Sequence, residues 1–329
     1  MRVAGSSGWP WIVSAAAGAV TAGVIAGILQ TRGPDDAAPD RGSGAPVVGS
    51  EESPASGGSD PTPQETVDII AVGDIASCES EGDEATAALA RATTGTILAL
   101  GDLAYDKGTQ QEFVECYDPS WGRLRDRTRP VPGNHEYRSP GAAPYFDYFG
   151  DQAGTPGEGW YSYDLGTWHV VALNSNCEDV ECGPGSPQEQ WLRSDLQAAD
   201  ARCTLAYWHH PPFSSGERHG GSKDVLALWR ALHENGVDVL LSSHEHSYER
   251  FAPLGADGEV DLDGGVRSFV AGTGGRSHYP FAEPVNGSES RIAGVDGVLR
   301  LSLAPGLYAW EFVPVPSGTG TDAGTGKCR

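Results

Sequence analysis

Five stretches of this 329-residue chain share one layout: an apolar, β-prone run that stops at a residue able to bind a metal. Residues 66–72 run into Gly73-Asp74, and residues 96–100 run into Gly101-Asp102-Leu103-Ala104-Tyr105. Residues 129–132 lead into Gly133-Asn134-His135-Glu136, 204–208 into His209-His210, and 237–243 into His244-Glu245-His246. A side chain just past the carboxyl end of a strand stands where open α/β sheets gather their ligands. One such residue is ordinary loop chemistry. Five together point to a sheet whose strand ends converge on one site, with the segment from Gly101 to Asp106 at the centre of a two-metal cluster.

The rest of the folded part reads as β-α units. Helical patterning falls on residues 84–93, 187–199 and 223–234, the last with its apolar positions at Val225, Leu226, Leu228, Trp229 and Leu232. Residues 161–174 alternate like a hairpin around Gly166, and 266–271, 298–303 and 307–315 read as antiparallel strands. The expected fold class is α/β: two packed mixed β-sheets flanked by helices, in one domain over residues 66–329 without internal repeats.

The formal charge is -23, from 22 basic and 45 acidic residues, with no basic block. That composition excludes a nucleic-acid-binding face, which needs clustered Lys and Arg. A small phosphate ester stays compatible, because bound metal ions reverse the field locally. Residues 9–30 are uncharged and rich in Ala, Gly, Val and Ile, so residues 1–30 are expected to be a signal peptide or a membrane anchor. Residues 31–65 form an acidic Gly/Ser/Pro-rich tether with too little to bury to repay its ordering. The protein is therefore expected to be exported, either secreted or tethered to the outer face of the cytoplasmic membrane, and to meet a membrane only through its N-terminal segment. An even number of cysteines, 6, fits disulfides in an exported chain. Sequence leaves the connectivity open; the expected pairs are Cys78 with Cys116, Cys177 with Cys182, and Cys203 with Cys328. A cysteine-based zinc site lacks paired CxxC spacing.

The ordered set GD, GDxxY, GNHE, HxP and HxH resembles the calcineurin-like metallophosphoesterases, and within them the purple acid phosphatases. Here the motifs are Asp74, then Asp102 with Tyr105, then Asn134 with His135, then His209 before Pro211, then His244 with His246. The resemblance covers residues 66 to about 315, and the tyrosine three residues after the second Asp is its subgroup mark. Plant members carry an extra β-domain ahead of the first motif, where this chain has its tether.

The resemblance implies a dinuclear centre bridged by Asp102. Asp74, Asp102, Tyr105 and His246 are donors that suit Fe(III); Asn134, His209 and His244, with the shared Asp102, suit a divalent ion, whether Fe, Zn or Mn. The implied reaction is in-line hydrolysis of a phosphomonoester by a metal-activated hydroxide, with His135 and His219 as candidate proton donors to the leaving group. His210, next to a ligand, would on a strand point away from it and is expected to support the ligands from behind or to pack, and Tyr248 and Arg250 extend the HxH motif and are expected to orient it. His169, His233 and His278 have no partner in sequence, and Gly272-Thr273-Gly274-Gly275 lacks the phosphate-loop pattern. A phosphodiesterase or nucleotidase on the same scaffold is the main alternative. A non-catalytic surface protein retaining the fold is the third, and it would have little use for so complete a ligand set.

Overall fold

Apart from the edge strand Thr128–Pro130, the strands that carry the site are buried on both faces, which is why they read as mostly apolar runs rather than alternating ones. The computed structural model describes residues 66–329, so the export segment and tether expected over 1–65 lie outside the described residues. A six-stranded sheet runs in the spatial order Ala323–Lys327, Leu307–Pro314, Gly297–Ala304, Val67–Val72, Thr96–Ala99, Thr128–Pro130. Its last three strands are mutually parallel and the others antiparallel. A seven-stranded sheet runs Ser288–Ile292, Tyr248–Leu254, Val266–Ala271, Val239–Ser242, Cys203–Tyr207, Trp168–Ala172, Tyr161–Leu165, with the central strands parallel.

The two sheets pack face to face. Ile69, Ala71 and Leu98 of the first meet Val170, Leu205 and Leu241 of the second. The alternate residues, Ile70, Val72, Ile97 and Ala99, face outward onto Ala87 and Ala90 of the helix Gly82–Ala92 and onto Phe113 and Tyr117. On the other outer face Val171, Ala206 and Leu240 meet Leu228, Trp229 and Leu232 of the helix Leu226–Glu234. Each fully buried Leu or Ile in these layers contributes about 1.5–3 kcal/mol. Because the five ligand-bearing strands lie in parallel blocks of the two sheets, their carboxyl ends gather at one edge. There the Gly73 N–H donates to the Ala271 carbonyl at 2.9 Å and the Ser243 hydroxyl to the Leu100 carbonyl at 2.6 Å, tying sheet to sheet.

The three expected disulfides are present, with Cα–Cα distances of 4.9 Å for Cys78–Cys116, 5.1 Å for Cys177–Cys182 and 5.4 Å for Cys203–Cys328. The expected helices and hairpin form with bounds shifted by a few residues. The strand Val266–Ala271 has one antiparallel and one parallel neighbour, so it is mixed rather than purely antiparallel. Four features were not anticipated: the strands Tyr248–Leu254 and Ser288–Ile292, the final edge strand Ala323–Lys327, and a short ladder of Ala76–Ser77 with Ala104–Tyr105. Among the described residues no helix is long and apolar enough to cross a membrane.

Candidate metal centre

Where the strands end, the backbone turns sharply to aim side chains inward. Asp74, Asp102 and His244 have φ of 59°, 53° and 72°, a left-handed region that non-glycine residues enter mainly where surrounding structure enforces it. Gly101, at φ 89°, has no room for a side chain: a Cβ there would lie 2.7 Å from His209 Nδ1 and 2.8 Å from the Gly133 nitrogen. The close approach of three strand ends thus depends on that glycine.

Two donor groups result, and they share one atom. In the first, the Tyr105 hydroxyl lies 2.8 Å from Asp74 Oδ1, 3.1 Å from Asp102 Oδ2 and 3.3 Å from His246 Nε2. His246 turns its other nitrogen to the Ser277 hydroxyl at 2.7 Å. In the second, His209 Nε2 lies 3.4 Å from Asp102 Oδ2, 3.2 Å from Asn134 Oδ1 and 3.1 Å from His244 Nδ1. His209 Nδ1 donates to the Leu100 carbonyl at 2.9 Å, which orients the ring and turns Nε2 toward the cluster. Asp102 Oδ2 belongs to both groups.

The chemistry of this set fits two multivalent cations. Asp74 and His209 are 0 % exposed and Asp102 2 %, yet among the described residues no Lys or Arg pairs with either carboxylate. Burial, then the charges of Asp102 and Asp74, push the Tyr105 hydroxyl well above its ordinary value, so by itself it is a neutral phenol. Burial also works to raise Asp74 and Asp102, but the nearby His246 and His209 charges outweigh it and hold both carboxyls below the usual range. Concentrated, dry, oxygen-rich anionic donors of this kind call for metal charge.

The two candidate proton donors flank the cluster. The His135 N–H donates to Asp102 Oδ1 at 2.8 Å, and its Nδ1 is held by the Asp106 carbonyl at 2.6 Å, leaving Nε2 3.8 Å from Asp102 Oδ2. The His219 ring lies 4.2 Å from that of His244 and lines the same cavity of about 450 Å³ as His135, His244 and His246. Its stretch is pinned rather than loose: Glu245 Oε1 accepts the His219 and Gly220 N–H groups at 2.5 and 2.6 Å.

Several neighbours have roles that the sequence did not show. Glu136, fully buried, accepts four backbone N–H groups: Asp102 and Gly133 on Oε2 at 2.9 and 2.7 Å, Leu103 and Ala104 on Oε1 at 2.9 and 3.3 Å. Burial and the Asp102 charge push its carboxyl up to about 7 against those donors. Tyr279 stacks on His246 at 4.0 Å, and the Arg276 guanidinium lies 5.2 Å over the Tyr105 ring. Loop residues like these carry no periodicity, so only proximity in the fold reveals them.

Two expectations are corrected. His210 does not point away from the ligands: its ring lies 4.4 Å from His244 and 4.8 Å from His209, and its Nδ1 meets the Ser175 hydroxyl at 2.9 Å. The strand ends at Tyr207, so strand alternation no longer applies there. Burial, with the His209 charge, lowers its pKa to about 3, which keeps it neutral. Tyr248 and Arg250 do not orient the HxH side chains; both bond Asp322, tying the C-terminal segment to their strand. His169 and His278 make ion pairs with Asp164, Asp195 and Asp296 away from the cluster. The Gly272–Gly275 segment is a turn packed against it, with the Gly274 N–H donating to the Gly73 carbonyl at 3.0 Å.

Comparison with known proteins agrees with this geometry. Purple acid phosphatase 15 of Arabidopsis thaliana is 25% identical over 256 residues, 66% of this chain and 46% of the relative. Acid phosphatase type 7 of Homo sapiens is 30% identical over 185 residues, 48% of this chain and 41% of the relative. The chain thus spans less than half the length of these curated relatives. The solved structure of a purple acid phosphatase from yellow lupin (Lupinus luteus) seeds shares the fold, with a TM-score of 0.68 at 18% identity over 80% of this chain and 55% of that one. The family model for calcineurin-like phosphoesterase matches residues 67–248, more than half of the chain and every ligand-bearing strand end, and the chain belongs to that family.

Proposed function

We propose that the protein is an exported metal-dependent phosphatase that hydrolyses phosphomonoesters, with Asp74, Asp102, Tyr105 and His246 holding Fe(III) and Asn134, His209, His244 and Asp102 holding a divalent ion of Fe, Zn or Mn. The observation that carries this is the single oxygen, Asp102 Oδ2, lying 3.1 Å from the Tyr105 hydroxyl and 3.4 Å from His209 Nε2. An atom placed between two donor groups is what a bridging ligand requires. When bound, such ions would acidify a water molecule and neutralise charge on the phosphoryl oxygens. The names of the relatives, the oxidised cysteines and the absence of a GxSxG-type nucleophile elbow support the same reading.

The chain's own residues then have separate tasks. The His135 N–H, donating to Asp102 Oδ1 at 2.8 Å, holds that carboxylate beside the phosphoryl site. His135 Nε2 faces the cluster and donates a proton to the leaving alkoxide. Burial lowers the His135 pKa in the free protein, so the imidazolium depends on the negative charge of a bound substrate. His219 stands across the cavity as a contact to the phosphate. The test is hydrolysis of an aryl phosphate monoester against its bis-aryl diester by the metal-loaded protein. Turnover of the monoester is expected, and turnover of the diester alone would refute the monoesterase assignment.

A further inference from the structure

The wall of the cluster's cavity inverts the sign of the protein. A chain with 45 acidic and 22 basic residues lines this one cavity with Lys107, Arg138, Arg218 and Arg276, against only Asp102 and Asp106. Asp102 belongs to the donor groups, and Asp106 is taken by Arg276 Nη2 at 3.0 Å. Lys107, Arg138 and Arg218 make no ion pair with any carboxylate among the described residues.

These cations sit on two sides. Arg138 Nη1 donates to the Asp106 carbonyl at 3.2 Å, next to Lys107 and Arg276, whereas Arg218 lies 5.3 Å over the Tyr279 ring beside His219. The other flank of the cluster is acidic: a cavity of about 190 Å³ bounded by Asn134 and His210 carries Glu178, Asp179 and Asp224. Opposite charges thus line the two flanks of the cluster, and the basic flank favours an anion.

A phosphomonoester carries about −1.5 to −2 charge at neutral pH, and a metal pair in the donor groups would already offset it. Lys107, Arg138 and Arg218, none of them paired with a carboxylate among the described residues, add positive charge beyond what one phosphate needs. Arginine forks match phosphate oxygens in bidentate fashion, and a cavity of about 450 Å³ lies in the range of small-molecule sites, roughly 300–1,000 Å³. Resting on the phosphatase reading above, we propose that the substrates are small molecules bearing two or more phosphates. One phosphate reacts at the donor cluster, and Lys107, Arg138 and Arg218 hold a non-reacting one.

The experiment compares kcat/KM of the metal-loaded full chain for fructose 1,6-bisphosphate against fructose 6-phosphate, and for ATP against AMP. The first pair probes separately esterified phosphates, the second linked ones. A preference of about tenfold or more for the multiply phosphorylated member is expected in at least one pair, expressed mainly in KM. Replacing one cation on each side, Arg138→Ala with Arg218→Ala, should bring that ratio down to about twofold, and Arg138→Lys with Arg218→Lys should keep most of it. Equal kcat/KM within both pairs overturns the inference and leaves the phosphatase reading standing. So does a preference that survives the double alanine replacement in protein with wild-type metal content and unfolding transition. Inertness towards all four compounds and an aryl monoester refutes the phosphatase reading itself, and the inference falls with it.

Discussion

Glu136→Gln probes whether one buried carboxylate holds two ligand loops together. Each oxygen of Glu136 accepts two backbone N–H groups, from Asp102 and Gly133 on one side and from Leu103 and Ala104 on the other. The amide has the same shape but keeps a single acceptor oxygen, so two N–H groups of a fully buried site face another donor. At about 1–3 kcal/mol for each stranded group, the substitution should cost roughly 2–6 kcal/mol. In a domain of this size that corresponds to a Tm drop of about 2–4 °C per kcal/mol. Whichever side loses its acceptor, the loops carrying Asp102 and Asn134 loosen, and metal affinity should fall about 10–100-fold, as for other partners that orient ligands. Thermal unfolding of the metal-free protein and metal titration read the two effects separately. Unfolding within about 0.5 kcal/mol of wild type, with unchanged metal affinity, would refute the assignment of Glu136 as the clamp.

Removing His135 should separate acid catalysis from metal binding: His135→Ala is expected to keep its metal while kcat falls roughly 10²–10⁴-fold on a poor leaving group, and full kcat there would pass the role to His219 or water. Tyr105→Phe removes the hydroxyl 2.8 Å from Asp74 Oδ1. If that oxygen binds Fe(III), aerobically purified wild type absorbs in the visible and the variant loses the band; a colourless, fully active wild type would remove the trivalent iron. Asp322→Asn addresses the C-terminal segment. Burial works to raise the Asp322 carboxyl, but hydrogen bonds from Arg250 and Tyr248 outweigh it and hold it below its ordinary value. A depressed carboxyl contributes stability that is present above its unfolded pKa of about 3.9 and lost as pH falls through the folded value. Wild type should therefore lose stability on acidification below about pH 4 more steeply than the variant, and parallel curves would contradict this.

Much of the site was legible because its ligands sit at the ends of strands buried on both sides. Such strands must be continuously apolar, so the first polar residue after Val72, Leu100 or Trp208 stands out, and the fold class follows from the same runs. The edge strand Ala323–Lys327 was not legible for the opposite reason. Its sequence is Ala-Gly-Thr-Gly-Lys, and it is held by pairing with Leu307–Pro314 while Gly324 and Gly326 lie flat against the rings of Trp310 and Tyr308. It has no apolar signal because its neighbours supply the apolar surface. His210 was misplaced because a rule for strands was extended one turn beyond the strand. The basic wall escaped notice because Lys107, Arg138, Arg218 and Arg276 come from separate loops, and a composition of -23 conceals a local excess that only the fold assembles. Glu136 and Glu245 stood in the motifs from the start, but nothing in a sequence tells a carboxylate that binds metal from one that binds the backbone beside it.

The central claim is that Asp102 is shared by two metal sites, and metal stoichiometry tests it most directly. Protein offered Fe and Zn, freed of loose ions and analysed by mass spectrometry of the elements, should hold two ions per chain. Asp102→Ala should lose both, because each donor group loses the same oxygen, whereas His244→Ala should lose chiefly the divalent one. Wild-type protein that binds one ion or none, or an Asp102→Ala variant that still binds two, would contradict the claim.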